Sequence, residues 1–321
     1  MSHKAAYIHL CASEMLPLQM QPFWLDIVAQ KGEWDVCLAQ DGAGRIIGAL
    51  PYCLFKNAGI KAIKMPPFTD YIGPWLRFPD ESDMKLERYY TRENRLLADL
   101  IDQLPPVAYF VQQYYPTLDN WLPFYWKNFR QTSLYTFTFE NLADLPAIHA
   151  GFKRTVRTDI KKAAGQVHVV QTDDLDRFVQ VNQASFSRKG LNYPFDRSIL
   201  QQLDTALAAR QQRLILLAND RVNGKCHAGL YMVWDHQTAY WLLSGIDAWY
   251  KNSAALNLLY WTAIQQAAER GLQRIDCCGS ILPGIEHVMR ALGATRRPHF
   301  RIHRYGHRLW SLLAALRGHN P

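Results

Sequence analysis

Lys251-Asn252-Ser253-Ala254 places a lysine and two small polar residues at the start of a run in which Ala254, Leu258, Trp261, Ile264 and Ala268 recur at helical spacing. Asn and Ser there can cap a helix. The unpaired N–H groups of a helix's first turn, with Lys251 beside them, make a site for an anion such as a phosphate. Gly279-Ser280 prepares a second start of the same kind. A row of cations adds to this: Lys153, Arg157 and Lys161 recur every fourth residue, with Arg154 and Lys162 alongside. Like charges stacked this way repel. The row therefore reads either as a grip on an anion or as a solvated basic face relieved by Asp159.

These groups need a frame. Thr238 to Leu243 follows the turn Asp235-His236-Gln237 and is rich in β-formers, which predicts a buried strand. A polar break at Asp247 to Ser253 leads into the helix, which Gly271 stops. Leu272 to Cys278 reads as a second strand. A further helix follows, with Ile285, Val288, Met289 and Leu292 on one face and Gly293 as its end. Strand, helix, strand, helix implies parallel strands joined by a right-handed crossover, and open parallel sheets bind ligands at their carboxyl ends. A plain structural unit has the same periodicity, so the pattern places a site without naming its function.

Upstream, Met15 to Gln30 reads as a helix, and Trp34 to Ala39 with Arg45 to Phe55 as a hairpin turned by Asp41-Gly42-Ala43-Gly44. Ile60 to Met65 is a third strand. Pro66 to Pro74 is a proline-bounded loop carrying Asp70 and Tyr71, polar groups on a stiff support that suit a binding site or only shape a chain crossing. Glu81 to Leu104 reads as a long helix with Leu86, Tyr89 or Tyr90, Leu97 and Ile101 inward. Val107 to Gln112 and Thr132 to Phe139 are strands. The break at Asn141 to Leu145 marks the domain boundary, giving domains of 1–141 and 142–321. One helix is expected through Ile148, Phe152, Val156 and Ile160. A strand at Val167 to Gln171, a helix from Leu175 ended by Ser187-Arg188-Lys189-Gly190, a helix at Phe195 to Ala209, and strands at Arg213 to Ala218 and Lys225 to Val233 complete the second half. Phe300 to His303 reads as one more strand and Arg308 to Leu316 as a last helix.

The 321 residues exceed one comfortable core, so two domains are expected. The net charge of +8 favours anionic partners without choosing among them. No export signal and no run of roughly 18 apolar residues is present, and Cys11, Cys37, Cys53, Cys226, Cys277 and Cys278 show no repeating spacing. A cytoplasmic protein with reduced thiols and no membrane span is the expectation. His299, His303 and His307 recur every fourth residue, but Arg301, Arg304 and Arg308 among them oppose a metal cation. With Phe300, Tyr305 and Trp310 the segment could meet nucleic acid; packing of Leu309, Leu312, Leu313 and Leu316 on the core is the plainer reading. Nucleophile-elbow, P-loop, His-Glu-x-x-His and dinucleotide motifs are missing.

The order of elements resembles the GNAT acyltransferase fold. WDVCLAQ, GALPYCLF, IKMPPFTDYIGPWL, FKRTVRTDIKKA and SGIDAWYKNSAALNLLYWTAIQQAAERGLQRIDCCGSILPGIEHVMRALGA resemble, in order, its FemABX-like branch with two GNAT-like domains. The resemblance implies an α/β protein with mixed sheets and two GNAT-like domains in tandem, the first degenerate. It implies N-acyl transfer to an amine, from acyl-CoA in GNAT relatives or from aminoacyl-tRNA to a cell-wall peptidoglycan precursor in FemABX-like enzymes. All these ligands are polyanions.

Two departures from the family pattern follow. The loop that usually cradles the CoA pyrophosphate with glycines is here Tyr250-Lys251-Asn252-Ser253-Ala254-Ala255, and close backbone approach is harder without glycine. Relatives carry an acid where this chain has Cys278. A carboxylate there could take the proton from the attacking amine. Alternation puts Asp276 on the same strand face as Cys278, so Asp276 is the first candidate base or a loop anchor, and Asp247 the second. Cys278 is a lesser candidate as nucleophile. The reading is an N-acyltransferase with its donor across Lys251, Asn252, Ser253 and Ala254, aided by Arg154, Arg157 and Lys161. Its acceptor lies near Asp70, Tyr71 and the Asp276–Cys278 strand end, entering between the domains. Aminoacyl-tRNA as donor, or a non-catalytic binder of a phosphorylated ligand, are the alternatives.

Overall fold

The computed structural model describes residues 2–77, 84–187, 190–279 and 281–306. Ser280, Arg188, Lys189, His307, the start of the expected helix at Glu81 and the expected helix Arg308 to Leu316 lie outside them. In chain order the elements are α1 (His3–Ser13), α2 (Pro22–Val28), β1 (Glu33–Gln40), β2 (Ile46–Asn57), β3 (Ile60–Ile63), β4 (Trp75–Leu76), α3 (Leu86–Asp102), β5 (Tyr109–Gln113), α4 (Leu122–Trp126) and β6 (Arg130–Phe139). There follow α5 (Leu145–Gly151), α6 (Arg154–Gln166), β7 (Val167–Thr172), α7 (Leu175–Ser187), α8 (Arg197–Ala209), β8 (Arg213–Asp220), β9 (Cys226–Trp234), β10 (Thr238–Ile246), α9 (Ala255–Glu269), β11 (Arg274–Asp276), α10 (Pro283–Ala291) and β12 (Thr295–Tyr305). Among the described residues no helix is long and apolar enough to cross a membrane.

The chain divides into two compact units, Met1–Leu134 with Pro298–Pro321, and Tyr135–Arg297. This division differs from the expected split at 141/142 both in its start, at Tyr135, and in a return of the chain to the first unit. The chain returns at Pro298, and β12 pairs antiparallel with β5 of the first unit. That pairing is long-range, and no local signal in the sequence announces it.

In the first unit, β1 and β2 form the expected hairpin and β3 pairs antiparallel with β2. β5 then lies parallel to β3. The hairpin turns because the Asp41 carboxylate accepts the N–H groups of Ala43 and Arg45, while Gly44 takes φ +78°, which only glycine adopts without strain. Helix α3 buries Leu96, Leu97, Leu100 and Ile101. Leu86 and Tyr90, expected inward, are exposed, since they precede the part of α3 that meets the sheet. The expected helix at Met15 to Gln30 is a 3-10 turn, Leu18–Met20, followed by α2, because Pro17 and Pro22 interrupt it.

In the second unit, β7, β8, β9 and β10 run antiparallel in sequence order, β11 adds parallel to β10, and β6 closes antiparallel on β11. Helices α6 and α9 pack one face through Val156, Ile160, Leu259, Tyr260 and Ile264. Helices α7 and α8 cover the other, where Phe178 meets Tyr231 and the Tyr231 hydroxyl donates to Asp204. The buried stripe of α9 is Ala255, Leu259, Tyr260, Ala263, Ile264 and Ala267; of the expected stripe Ile264 is in it, while Leu258, Trp261 and Ala268 are partly buried beside it. This helix is apolar on most sides, so spacing alone left its phase open. The single helix expected through Ile148 to Ile160 is two, α5 and α6, separated at Phe152-Lys153.

Candidate active site

β10 and β11 pair only over Thr238–Tyr240 and Arg274–Asp276. β11 then ends, while β10 continues to Ile246 along β9. The two parallel strands therefore part at their carboxyl ends, where open sheets take ligands. The β10–β9 register shifts between Trp241 and Leu243, so Leu242 is the extra residue of a bulge, a device that re-aims backbone groups. Beyond the bulge, Ser244 Oγ lies 3.3 Å from the Tyr260 hydroxyl, and the Tyr260 ring stacks on Trp241 at 4.4 Å. Burial raises the Tyr260 phenol to about 12, so it holds its proton. Burial, then the neighbouring Asp276 charge, pushes the Cys277 thiol well above its ordinary range and makes it a poor nucleophile.

The loop after β10 departs from a simple helix start. Asp247 caps a 3-10 helix, Ala248–Ser253, with its carboxylate accepting the Trp249 N–H at 2.8 Å. Lys251 and Asn252 sit on that turn, exposed, so Asn252 does not cap α9. Ala254 adopts φ +57°, and α9 begins at Ala255, whose N–H meets Ser253 Oγ at 3.3 Å. The left-handed conformation that glycine normally supplies is present here on an alanine. Next to this turn, Asn257 Nδ2 approaches Asp159 Oδ2 at 3.5 Å, which sets α6 against the first turn of α9.

The cationic row is divided. Lys153 ends the break before α6, and the Arg157 guanidinium donates to the carbonyls of Ala150 and Phe152, satisfying the last turn of α5. Arg154 and Lys161 remain exposed on α6.

At the end of β11 the expected geometry is corrected. Cys278 has φ +50° and lies past the strand, so alternation does not put it on the face of Asp276. Asp276 is 5% exposed, and its Oδ1 accepts the Thr136 hydroxyl at 2.5 Å and the Cys278 N–H at 2.8 Å. The Gly279 N–H donates to Thr136 Oγ1 at 3.0 Å. Gly279 is required here, because a Cβ would stand 2.3 Å from Thr136 Cα. Asp276 thus anchors the loop that follows β11.

Asp247 is placed differently. It lines a cavity of about 590 Å³ together with Arg177, Gln180, Lys225, Trp249 and Tyr250. Tyr250 stacks on the buried His227 at 3.8 Å, and His227 Nε2 lies 3.0 Å from Asp220 Oδ2. The Arg177 guanidinium is held by Asn219 Oδ1 and the Gly224 carbonyl, each at 2.9 Å. Trp249 is 92% exposed. Sequence reasoning missed Arg177, Lys225, Trp249 and Tyr250; a bulky aromatic pair inside the polar break was the available signal.

In the first unit, Asp70 and Tyr71 are clamped by the buried Gln19. Its Oε1 accepts both their N–H groups at 2.7 and 2.9 Å, and its Nε2 donates to Asp70 Oδ2 at 3.2 Å. Tyr71 is 1% exposed, with its ring packed on Tyr115 and His299, so its surface is internal rather than open to a ligand.

A family model described as acetyltransferase (GNAT) domain matches residues 150–314. No curated protein matches this chain. The fold is similar to that of FemX, with TM-score 0.64 at 12% identity over 93% of this chain and 94% of that one. It is also similar to L-PGS from Bacillus licheniformis, with TM-score 0.54 at 11% identity over 98% and 96% of the two chains. A tandem GNAT protein from the clavulanic acid biosynthesis pathway gives TM-score 0.52 at 12% identity over 95% of each. At these identities the likeness concerns the fold, two GNAT-like domains in tandem, as expected from the sequence. Because the matched segment covers more than half of the residues, and contains the parted strands and the helix between them, the chain belongs to the acetyltransferase (GNAT) domain family.

Proposed function

We propose that this protein is an N-acyltransferase that moves an acyl group from acyl-CoA to an amine. The observation that carries this reading is the parting of β10 and β11 beside the amino end of α9. An extended thioester arm fits between parted strands, while its phosphates meet Lys251, Asn252 and the first-turn N–H groups of α9, with Arg154 and Lys161 adding charge. The acceptor amine enters the cavity at Asp247, whose carboxylate removes a proton so that the nitrogen lone pair attacks the carbonyl. Backbone N–H groups at the bulge face the developing oxyanion. Collapse of the tetrahedral intermediate breaks the carbon–sulfur bond, and the Tyr260 phenol holds a proton for the departing thiolate.

Aminoacyl-tRNA as donor is the second reading, supported by the similarity to FemX and by the glycine-free loop. Calorimetric titration with acetyl-CoA and with CoA tests the first. Micromolar binding supports it, and absence of heat and of thermal stabilisation removes it. Salt-sensitive binding of charged tRNA then favours the second. Binding without turnover by either donor leaves a phosphorylated-ligand binder.

A further inference from the structure

Along β12 of the first unit, side chains alternate between two faces. Phe300 and Ile302 enter the core with α3. His299, Arg301, His303 and Tyr305 share the other face, and β5 brings Tyr109 opposite Tyr305 in register. Among the described residues, both ring nitrogens of His303 and the Nε of Arg301 are buried without a hydrogen-bond partner, although the Arg301 guanidinium also meets the Tyr109 hydroxyl. His303 is 3% exposed. Burial first, and then the guanidinium groups of Arg301 and of Arg130 on β6, hold its imidazole below the ordinary range. Buried donors in folded proteins are almost always paired, and like charges gathered together repel. The ring of Tyr305 stacks on Tyr109 at 4.9 Å, forming a flat wall at one end.

We propose that this face of the first unit binds an oxyanion, a phosphate or carboxylate group, between Arg301 and His303. Residues two apart on one strand face are spaced by roughly 7 Å, a span that one oxyanion bridges with two ordinary hydrogen bonds. Tyr71, whose ring edge meets His299 at 5.1 Å, sets the Pro66–Pro74 loop at the other end of the same face. The anion site stands on the first unit alone and does not rest on the transfer reading above.

The test is titration of the full chain with sodium pyrophosphate and, in a parallel arm, with succinate, following the His303 ring signals by NMR and the heat by calorimetry. Pyrophosphate or succinate is expected to shift the His303 signals and raise its titration midpoint, and whichever arm responds identifies the anion class. Arg301→Gln is expected to weaken binding by about tenfold or more, the loss of one charged hydrogen bond. His303→Gln, which keeps an N–H donor, is the second variant if Arg301→Gln does not fold, and it weakens binding less. Unmoved His303 signals at millimolar anion, or unchanged affinity in Arg301→Gln, overturn the proposal. Asp247→Asn separates the readings: transfer lost with pyrophosphate binding intact leaves both standing. Binding lost on Lys251→Gln instead places the anion in the second unit and overturns the site.

Discussion

Asp276 and Thr136 lie 140 residues apart in sequence, yet the Thr136 hydroxyl donates to Asp276 Oδ1 at 2.5 Å in the interior of the second unit. The same oxygen accepts the Cys278 N–H, so this carboxylate fixes how the chain leaves β11 beside the parted strands. Replacing it removes the acceptor of the buried Thr136 hydroxyl and of the partly buried Cys278 N–H. Asp276→Ala is therefore expected to lower unfolding free energy by about 2–4 kcal/mol, and Thr136→Val by about 1–3 kcal/mol. Urea unfolding followed by fluorescence measures both. Turnover per folded molecule should fall by far less than for a base. A stable Asp276→Ala protein with abolished turnover would restore Asp276 as the catalytic acid–base group.

Much of this architecture was legible because the residues that punctuate it act locally. Gly44 and Asp41 make a hairpin turn wherever they stand, and Gly271 and Gly293 end helices. The parallel unit around β10, α9 and β11 could be read from such stops. What escaped depends on partners distant in sequence. Phe152-Lys153 breaks a helix directly after Gly151, yet the four-residue apolar spacing runs straight across the break and hides it. The role of Asp276 needs Thr136, and the return of β12 needs β5. Asp247 was ranked second because its cavity is built by Arg177 and Lys225, which nothing local ties to the loop after β10.

Asp247 separates base chemistry from loop stability. Asn keeps an oxygen to accept the Trp249 N–H and is an equally good cap, so Asp247→Asn is expected to leave unfolding free energy within about 0.5 kcal/mol of the parent. As the proton acceptor for the amine, its loss should reduce kcat by about 10²–10⁴ with donor affinity unchanged. Initial-rate kinetics beside calorimetry of donor binding checks this. A variant with parent kcat would mean that the amine loses its proton elsewhere.

Ala254 carries a conformation that suits glycine, at φ +57° between the 3-10 turn and α9. A Cβ there crowds the following carbonyl at a cost of roughly 1–2 kcal/mol, part of which glycine returns as unfolded-chain entropy. Ala254→Gly is expected to raise stability by about 0.5–1 kcal/mol and to keep or tighten donor binding, because the loop already has the backbone shape. Thermal unfolding and titration with CoA read both effects. Destabilisation would show that the Ala254 methyl packs usefully against its surroundings.

His299 gives the first unit an acid sensitivity whose sign can be worked out. Burial lowers its pKa from 6.5 to about 4, so between those values the unfolded chain binds a proton that the folded chain refuses. Unfolding then takes up a proton, and stability rises with pH across the window. The contribution of neutral His299 is complete above the unfolded value and is lost progressively as pH falls toward about 4, for a total of about 3 kcal/mol. Urea unfolding at steps across this window should show the parent losing more stability than His299→Gln by about that amount, with the two curves running parallel above it. The packed edge contact with Tyr71 will cost the variant some stability at every pH, so the difference in slope carries the result. Equal slopes would mean that the imidazole reaches water in the folded state and titrates near its ordinary value.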